Sequence, residues 1–409
     1  MIDLTKIRYR AIVIDDNNVQ YNISEFIQDL GWEENKNEIS VRLSFTAKNN
    51  DTAKGKLSSI IKPGCRIGIY VTDGNTLDDE AASGVVVDWN PNLSNTTDDL
   101  KCICYDDLYQ LQKSQDNKYY ASGTGTQSII TGLFDEYGIR YNGYSGPNIS
   151  HGKLKYGSSY VSDIVLNTLE DAKKNGAGKY IVRTVKGITD VIPIGSNNNI
   201  FVFTDEVTIS VSHSISTSDM VTRVRVFGQA DDDGKSSVEA TLNGDMRFGI
   251  RQRIYTRGSD ETTDAANKSA QDILAENREA KTTITVQSPD VPVIRKGDLV
   301  YLMAGVSKGY YLVIGIRHDC DSGSMTMDLE LSDGPASANG GYSVGDIVYF
   351  KGGTHFMSSY PDAKGYSNAR PGKAKITIKN GRGKAHPWHL IHTDNESNVY
   401  GWVDDGTFE

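Results

Sequence analysis

The sequence lacks an apolar run of about 18 residues, the length that a helix needs to cross a membrane. Its first residues, MIDLTKIRYRAIVIDD, also lack the apolar segment and small-residue cleavage site that mark a secretory signal. We therefore expect a chain that has no membrane span and that is made in a cytoplasm without a secretory signal.

Cysteine is scarce, because the chain has only Cys65, Cys102, Cys104 and Cys320, and none of them forms a CxxC pair. These are too few for a disulfide scaffold, and we interpret all four as buried thiols. A Cys-His peptidase needs a reactive thiolate. Cys102 and Cys104 alternate inward on a predicted strand, and the acidic neighbours of Cys320 would raise the pKa of its thiol. The cysteines therefore do not indicate a nucleophilic enzyme.

Positive charge and phosphate-binding loops are also lacking. The chain has 43 Lys and Arg against 53 Asp and Glu, and this net charge of −10 argues against a nucleic-acid partner, which would require a basic face. The glycine-rich stretch GTGTQS (123–128) lacks the Lys that reaches a phosphate. We predict no catalytic residues, no cofactor, no metal and no enzymatic activity.

One short pattern is present three times. It reads RKGDLVYL at residues 295–302, SVGDIVYF at 343–350 and, more loosely, KPGCRIGIYV at 62–71. Each copy places a Gly, which accepts positive φ in a tight turn, before a strand whose alternate residues are apolar. The repetition predicts three small β-barrels rather than three active sites.

The order of patterns along the chain predicts a mainly β protein with an α/β insert. Period-2 alternation predicts one barrel over residues 1–110 and a second, with one helix, over 204–331. Helical periodicity from Thr126, and from Tyr160 to Lys174, predicts the insert over 111–203, which ends in a hairpin. A flexible linker over 332–341 then leads to a small C-terminal barrel over 342–409.

Several stretches of residues 1–331 resemble one known family. They are CICYDDLYQLQKS (102–114), GTGTQSIITGLFDEYGI (123–139), SISTSDMVTRVRVFG (214–228), AANKSAQDILAENREAKTTITV (265–286) and the segment 293–331 that contains RKGDLVYL. The resemblance is to the baseplate hub proteins of contractile phage tails and phage-tail-like bacteriocins (tailocins), in the Gram-positive prophage branch of the late-control-D family.

This resemblance implies two barrels of the tail-tube type, at about 1–110 and 204–331. It also implies a homotrimer whose two barrels per chain form a pseudo-sixfold ring against the hexameric tail tube. The expected partners are the tube protein, the central spike and other baseplate proteins. The expected location is the tail baseplate of a phage virion or tailocin particle, after synthesis in the bacterial cytoplasm. Infectious phage and bacteriocin stay open as alternatives.

Residues 342–409 resemble the SH3-like modules of phage tail and lysis proteins. The matching points are GDIV (345–348), His355, PGKA (371–374), HPWH (386–389) and YGWV (400–403). The resemblance implies a module that contacts the cell wall, the spike or a neighbouring hub protein, and peptidoglycan is therefore a candidate ligand.

Aromatic and histidine side chains of this module form a candidate groove for a sugar or peptide, because flat rings stack on apolar faces. They are Phe350, His355, Tyr360, His386, Trp388, His389, Tyr400 and Trp402. Trp388 lies in a polar, His-rich loop, which favours the groove, but a small barrel also needs several aromatics as its core. The His386 and His389 spacing would suit zinc on a helix, whereas Pro387 favours a strand that points the two side chains apart.

An alternative of a different class is a peptidoglycan-binding or cell-wall-lytic accessory protein built around residues 342–409. It differs from the hub interpretation in its partner and in its location outside the particle.

Overall fold

The computed structural model describes the chain except residues 1, 16, 53–54, 96, 232, 259–260, 333, 335–341, 343, 380–384, 405 and 409. The predicted linker over 332–341 lies outside the described residues apart from 332 and 334. The structure is 49% strand and 15% helix, which confirms the mainly β class. No helix formed by the described residues combines the length and apolar character needed to cross a membrane. The chain forms two compact units, Met1–Val211 with Val286–Glu409, and Ser212–Thr285.

The first β region belongs to the larger unit. Its elements are β1 (Arg8–Ile14), β2 (Gln20–Asn22), β3 (Ile27–Glu34), β4 (Arg42–Lys48), β5 (Asp51–Thr52), β6 (Gly55–Lys56), α1 (Leu57–Ile60), β7 (Arg66–Thr72), β8 (Asp78–Leu93) and β9 (Asp98–Tyr105). Seven of the strands lie side by side in the order β3-β4-β9-β8-β7-β1-β2. Leu43, Phe45, Cys102 and Cys104 alternate into the core, as the period-2 pattern predicts.

The insert follows in the same unit. It contains α2 (Tyr109–Lys113), β10 (Gln115–Tyr120), α3 (Thr126–Glu136), β11 (Leu154–Tyr160), α4 (Val161–Lys174), β12 (Tyr180–Val185) and β13 (Ile188–Pro193). Both predicted helices and the predicted hairpin are confirmed, within one or two residues of the expected bounds. The hairpin turns at Lys186 and Gly187, which both have positive φ, as a two-residue hairpin loop requires.

The second β region continues the same sheet. Its strands are β14 (Phe201–Thr204), β15 (Ser210–Ser216), β19 (Lys281–Pro289), β20 (Leu299–Ala304), β21 (Ser307–Asp319) and β22 (Ser324–Ser332). They lie in the order β15-β19-β22-β21, with β20 against β21 and β14 against β20. Two of them, β15 and β19, pass from one compact unit to the other along the chain.

The two β regions repeat one strand order. The series β3-β4-β9-β8-β7 corresponds to β15-β19-β22-β21-β20, and β1 and β14 occupy corresponding places beyond it. The repeat extends to single hydrogen bonds in the Gly turn. Gly64 N donates to Val86 O at 3.0 Å and Gly297 N donates to Val313 O at 2.7 Å, and both glycines have positive φ. The repeated sequence pattern thus encodes a repeated turn, although the strands that follow the copies at 62–71 and 295–302 belong to one continuous sheet.

The smaller unit is a three-stranded sheet with a helix on one face. It contains β16 (Arg223–Ala230), β17 (Ser236–Asn243), β18 (Gln252–Thr256) and α5 (Thr263–Glu276), with the strand order β17-β16-β18. Ala266 and Ala270 of the helix are buried against Val224 and Val226 of the central strand. Small helix residues allow this close packing of helix on sheet.

The C-terminal region forms a six-stranded sheet in the larger unit. Its strands are β23 (Ile347–Phe350), β24 (Gly353–Phe356), β25 (Gly365–Ala369), β26 (Gly372–Lys379), β27 (Trp388–His392) and β28 (Tyr400–Val403). Their order is β23-β26-β27-β28-β24-β25, and the pairs are antiparallel. The copy of the sequence pattern at 343–350 leads into β23 through Gly345, which has positive φ.

Candidate assembly junction and C-terminal groove

The two β regions are joined by an antiparallel strand pair, β21 against β3. Ile316 lies opposite Glu34 and His318 lies opposite Trp32, and just beyond the pair Cys320 N donates to Leu30 O at 2.9 Å. These strands come from opposite ends of the first 331 residues. The pair therefore makes one sheet out of two regions that alternation alone would leave as separate bodies.

A buried ionic cluster lies beside this junction. Glu34 is 4% exposed and accepts a hydrogen bond from Arg295 Nε, while Arg183 Nη2 of the insert donates to Asp298 Oδ1 at 2.8 Å. Burial would raise the pKa of Glu34, but the charges of Arg295 and Lys296 outweigh it and hold that pKa below its ordinary value. The cluster holds the Gly turn at Arg295, the end of β3 and the insert together.

Lys296 and Asp106 show what burial does when pairing is incomplete. Lys296 is 7% exposed, its Nζ donates to Asn35 O at 2.8 Å, and burial lowers its pKa. Burial raises the pKa of Asp106 to about 7, and among the described residues its Oδ2 has no hydrogen-bond partner. An isolated buried carboxyl prefers its neutral form, and Asp106 is therefore the carboxyl of this cluster that titrates near neutral pH.

A second buried network crosses the junction at His318. Its Nδ1 lies 2.6 Å from Asp290 Oδ1, its Nε2 lies 3.1 Å from Ile294 O, and Tyr9 donates to the other oxygen of Asp290. Because a carbonyl only accepts, Nε2 carries a proton. The imidazole stacks on Trp32 with ring centroids 4.2 Å apart. Strands of both β regions thus share one polar core.

The thiols of Cys102, Cys104 and Cys320 lie where the uncharged form is favoured. Burial raises the pKa of Cys102 to about 12 and that of Cys104 well above its ordinary value. The pKa of Cys320 is also raised, first by burial and then by Asp290, Asp321 and Asp319. The predicted effect of its acidic neighbours is confirmed in direction, and burial is the larger cause.

The predicted groove residues fall into separate environments, and the first of these is the core of the C-terminal sheet. Phe350 is fully buried and Trp388 is 7% exposed, and both belong to the same apolar cluster. The prediction that Trp388 lies in a loop is wrong, because Trp388 begins β27. Its ring packs edge-on against Phe408 with centroids 5.5 Å apart. These two aromatics therefore serve packing.

Two histidines, His386 and His355, are each stacked on an aromatic ring. His386 is 7% exposed, its Nδ1 bonds the carboxylate of Asp404, and its ring stacks on Phe356 with centroids 3.4 Å apart. Its buried Nε2 has no hydrogen-bond partner within the described part of the chain. His355 is half-buried and stacks on Tyr366, and burial lowers its pKa.

An outward-facing aromatic cluster is formed by β27 and β28. His389 lies opposite Trp402 in the strand pair, and its ring centroid is 5.3 Å from Trp402 and 5.8 Å from Tyr400. Tyr400 is 64% exposed. Tyr360, which is 55% exposed, lies on the segment after β24. The structure thus brings together three of the eight predicted residues on one accessible face.

The histidines do not converge on a metal. His389 bonds Thr377 Oγ1 at 2.6 Å, whereas His386 is held by Asp404. Across the residues that the structure describes, no group of three or more His, Cys, Asp or Glu side chains is arranged to hold a metal ion.

Pattern reasoning missed the junction networks of Glu34, Asp106 and His318. A signal was present in the RKGD stretch, where Arg295, Lys296 and Asp298 stand directly before a buried strand. Charges at such a place need partners. The partners themselves are far away in the sequence, 261 residues in the case of Arg295 and Glu34.

The fold of the chain is similar to that of two solved tail proteins, one of them from a prophage. The chain matches the 43 kDa tail protein of prophage MuSo2 from Shewanella oneidensis with a TM-score of 0.56 and 13% identity, over 79% of this chain and 98% of that one. It matches a tail protein from Neisseria meningitidis with a TM-score of 0.54 and 13% identity, over 79% of this chain and 96% of that one.

A family model places the chain more narrowly. The YQBQ-like model matches residues 30–332, which is well over half of the chain, and the chain therefore belongs to the YQBQ-like family. No curated protein matches it significantly.

Proposed function

We propose that the chain is a structural hub of the baseplate of a contractile tail or tailocin. In this proposal three copies form an adaptor between the hexameric tail tube and the central spike. The observation that carries it is the duplicated strand order within one chain, β3-β4-β9-β8-β7 and β15-β19-β22-β21-β20. Two similar series of strands per chain and three chains give six similar elements, the number needed to mate with a hexameric ring.

The fold shared with the two solved tail proteins supports the same proposal, as does membership of a family whose model matches residues 30–332 and so includes strands of both β regions. The chemistry also fits a structural role. Glu34 pairs with Arg295 and Asp298 pairs with Arg183 at the junction, and burial favours the uncharged form of the Cys102 and Cys104 thiols. Assembly, rather than turnover of a substrate, is the proposed mechanism.

The test is to sediment particles from an induced lysate and to quantify this chain against tube and sheath proteins by mass spectrometry. About three copies per particle, against tube subunits in multiples of six, would support the hub. A chain that stays in the supernatant would reject it and would favour the wall-binding or lytic accessory protein. Clearing of cell walls by the purified chain in a zymogram would separately reject the non-enzymatic role.

A second candidate function concerns the C-terminal sheet, which would bind peptidoglycan through His389, Tyr400 and Trp402. The observation that favours it is their clustering on one accessible face, because exposed aromatic rings can stack on sugar rings. Pull-down of the full chain on purified sacculi should be lost in Tyr400→Ala with Trp402→Ala. The matched control is Tyr349→Ala, since Tyr349 is 44% exposed on another strand of the same sheet. If the Tyr400→Ala, Trp402→Ala double variant is retained on the sacculi as well as the Tyr349→Ala control is, the proposed peptidoglycan-binding surface is rejected.

A further inference from the structure

β21 and β8 occupy corresponding places in the repeat, but only the distal half of β21 has a neighbouring strand along its second edge among the described residues. β8 and β21 shift register at corresponding places, after Val86 and after Val313, and then continue against β9 and β22. Beyond this shift β21 pairs through its other edge with β3. The corresponding edge of β8, residues 87–93, lies beyond the last residue that pairs with β7, and no described strand lies against it.

Exposure follows this difference in coverage. On β21, Ile316 is 4% exposed and His318 is fully buried. On β8, residues 87–93 are exposed except for half-buried Trp89, and Leu93 reaches 77%. The same strand in the same repeat is therefore part of a core in one copy and part of the surface in the other.

The strand that the uncovered edge needs is also present in the chain. In the repeat β15 corresponds to β3, since β15 lies against β19 as β3 lies against β4. β15 stands at the end of the sheet, and all its residues are exposed except half-buried Val211. Ile215 is 70% exposed. An end strand with both faces accessible is a template for pairing with another chain.

We propose that residues 87–93 of one copy pair antiparallel with β15 of a second copy, as β21 pairs with β3 within each chain. The occupant of the edge is a second copy because the chain already contains this strand pair, with the covering strand drawn from its own repeat. The inference rests on the proposed function for ring closure, but the strand pair itself is an independent claim. Repetition of a heterologous contact closes a ring when the rotation permits.

Pro91 shapes this interface. By register it corresponds to His318, because Pro91 lies opposite Leu100 as His318 lies opposite Met325. On β21 the backbone N–H of Cys320, two residues later, points toward β3. The N–H of residue 91 would therefore point toward the second copy, and proline lacks it. The pairing has one hydrogen bond fewer than the junction, and the free edge is less prone to pair unselectively.

The experiment is disulfide trapping in the purified full chain. Asn90→Cys is combined with Ser212→Cys or Ser214→Cys, since all three residues are exposed. The matched control is Glu33→Cys with Arg317→Cys, because these residues face each other in the junction and Arg317 corresponds to Asn90. Mild oxidation should move the test pair to multiples of 44.9 kDa, reversibly with reductant, while the control remains at one chain mass.

The outcomes separate this inference from the proposed function. Single-cysteine variants define the background, and a test pair that does not exceed them while the control closes would overturn the strand pair. A test pair that closes within one chain would overturn it as well. If native mass shows a trimer but the test cysteines form no disulfide between its chains, the strand pair is overturned and the hub is kept. Cross-linked ladders beyond three copies would support the strand pair and count against the three-copy ring.

Discussion

The distal half of β21 and the distal half of β8 occupy corresponding places in the repeat but have opposite surroundings. On β21, His318 is enclosed by Trp32, Asp290 and Ile294, whereas on β8 the corresponding Pro91 is exposed. The difference does not come from the strand itself, because the preceding turn and register shift are the same. It comes from coverage by β3. A strand edge thus acquires buried polar partners where the chain covers it, and a proline where it does not.

Removal of Glu34 should destabilise the junction between β3 and β21 more than any other change considered below. Glu34→Ala leaves the Arg295 guanidinium buried without its partner, and we expect the free energy of unfolding to fall by about 3–5 kcal/mol. Glu33→Ala is the matched control, because Glu33 is on the same strand and its ion pair with Arg42 is partly exposed. That variant should cost about 0–1 kcal/mol. Equal losses in urea unfolding would show that the cluster does not hold the junction.

Asp106 makes the free energy of unfolding depend on pH. Its pKa of about 7 in the folded chain lies above its ordinary value of 3.8, so the folded state binds more protons between these values. Its contribution therefore becomes less favourable as pH rises from about 4 to about 7. Asp106→Asn removes this penalty, and its stabilising effect should be larger at pH 8 than at pH 5 by roughly 2.5–3 kcal/mol.

The control for this measurement is Asp88→Asn, since Asp88 is exposed on β8. It should change stability by less than about 0.5 kcal/mol at either pH. An Asp106→Asn effect that is the same at pH 5 and pH 8 would contradict the proposed titration of the buried carboxyl.

The close approach of β3 to β21 should be sensitive to a single added carbon. A Cβ at Gly31 would lie 2.5 Å from the carbonyl oxygen of His318, and backbone atoms cannot yield as a flexible side chain can. We expect Gly31→Ala to cost about 1–3 kcal/mol. Gly132→Ala in α3 is the control, because no atom lies within 4 Å of its added carbon. In thermal unfolding Gly132→Ala should either leave stability unchanged or raise it by about 0.4–1 kcal/mol.

Local pattern predicted the elements of this protein better than their assembly. The helix stripe of Val161, Val165, Leu169 and Ala172 and the inward Cys102 and Cys104 are all buried, as period and alternation require. The Gly turns were also readable, since positive φ leaves few alternatives. The junction was not, because hydrogen bonding between β3 and β21 is backbone chemistry that any sequence can make.

The candidate groove shows that the sequence pattern also leaves open which side chains face outward. Composition alone groups eight aromatic and histidine residues, but orientation on a strand alternates with each residue. Trp388 and His389 are neighbours, and one is core while the other faces outward with Trp402. Which of the two alternating sets of side chains faces the core depends on the position at which the strand begins. Pro387 gave only a partial signal for that position.

The smallest expected effect on stability gives the sharpest test of the uncovered side. Pro91→Ala touches no core contact, so unfolding of the free chain should change by about 0.5 kcal/mol, mainly through the unfolded state. The substitution adds one N–H to the edge of β8. If β15 of a second copy lies there, association should strengthen about fivefold, the equivalent of a hydrogen bond worth roughly 1 kcal/mol. Sedimentation equilibrium would measure this, with exposed Pro361→Ala as the control. Unchanged association of Pro91→Ala, in a chain that does self-associate, would place the contact on another edge.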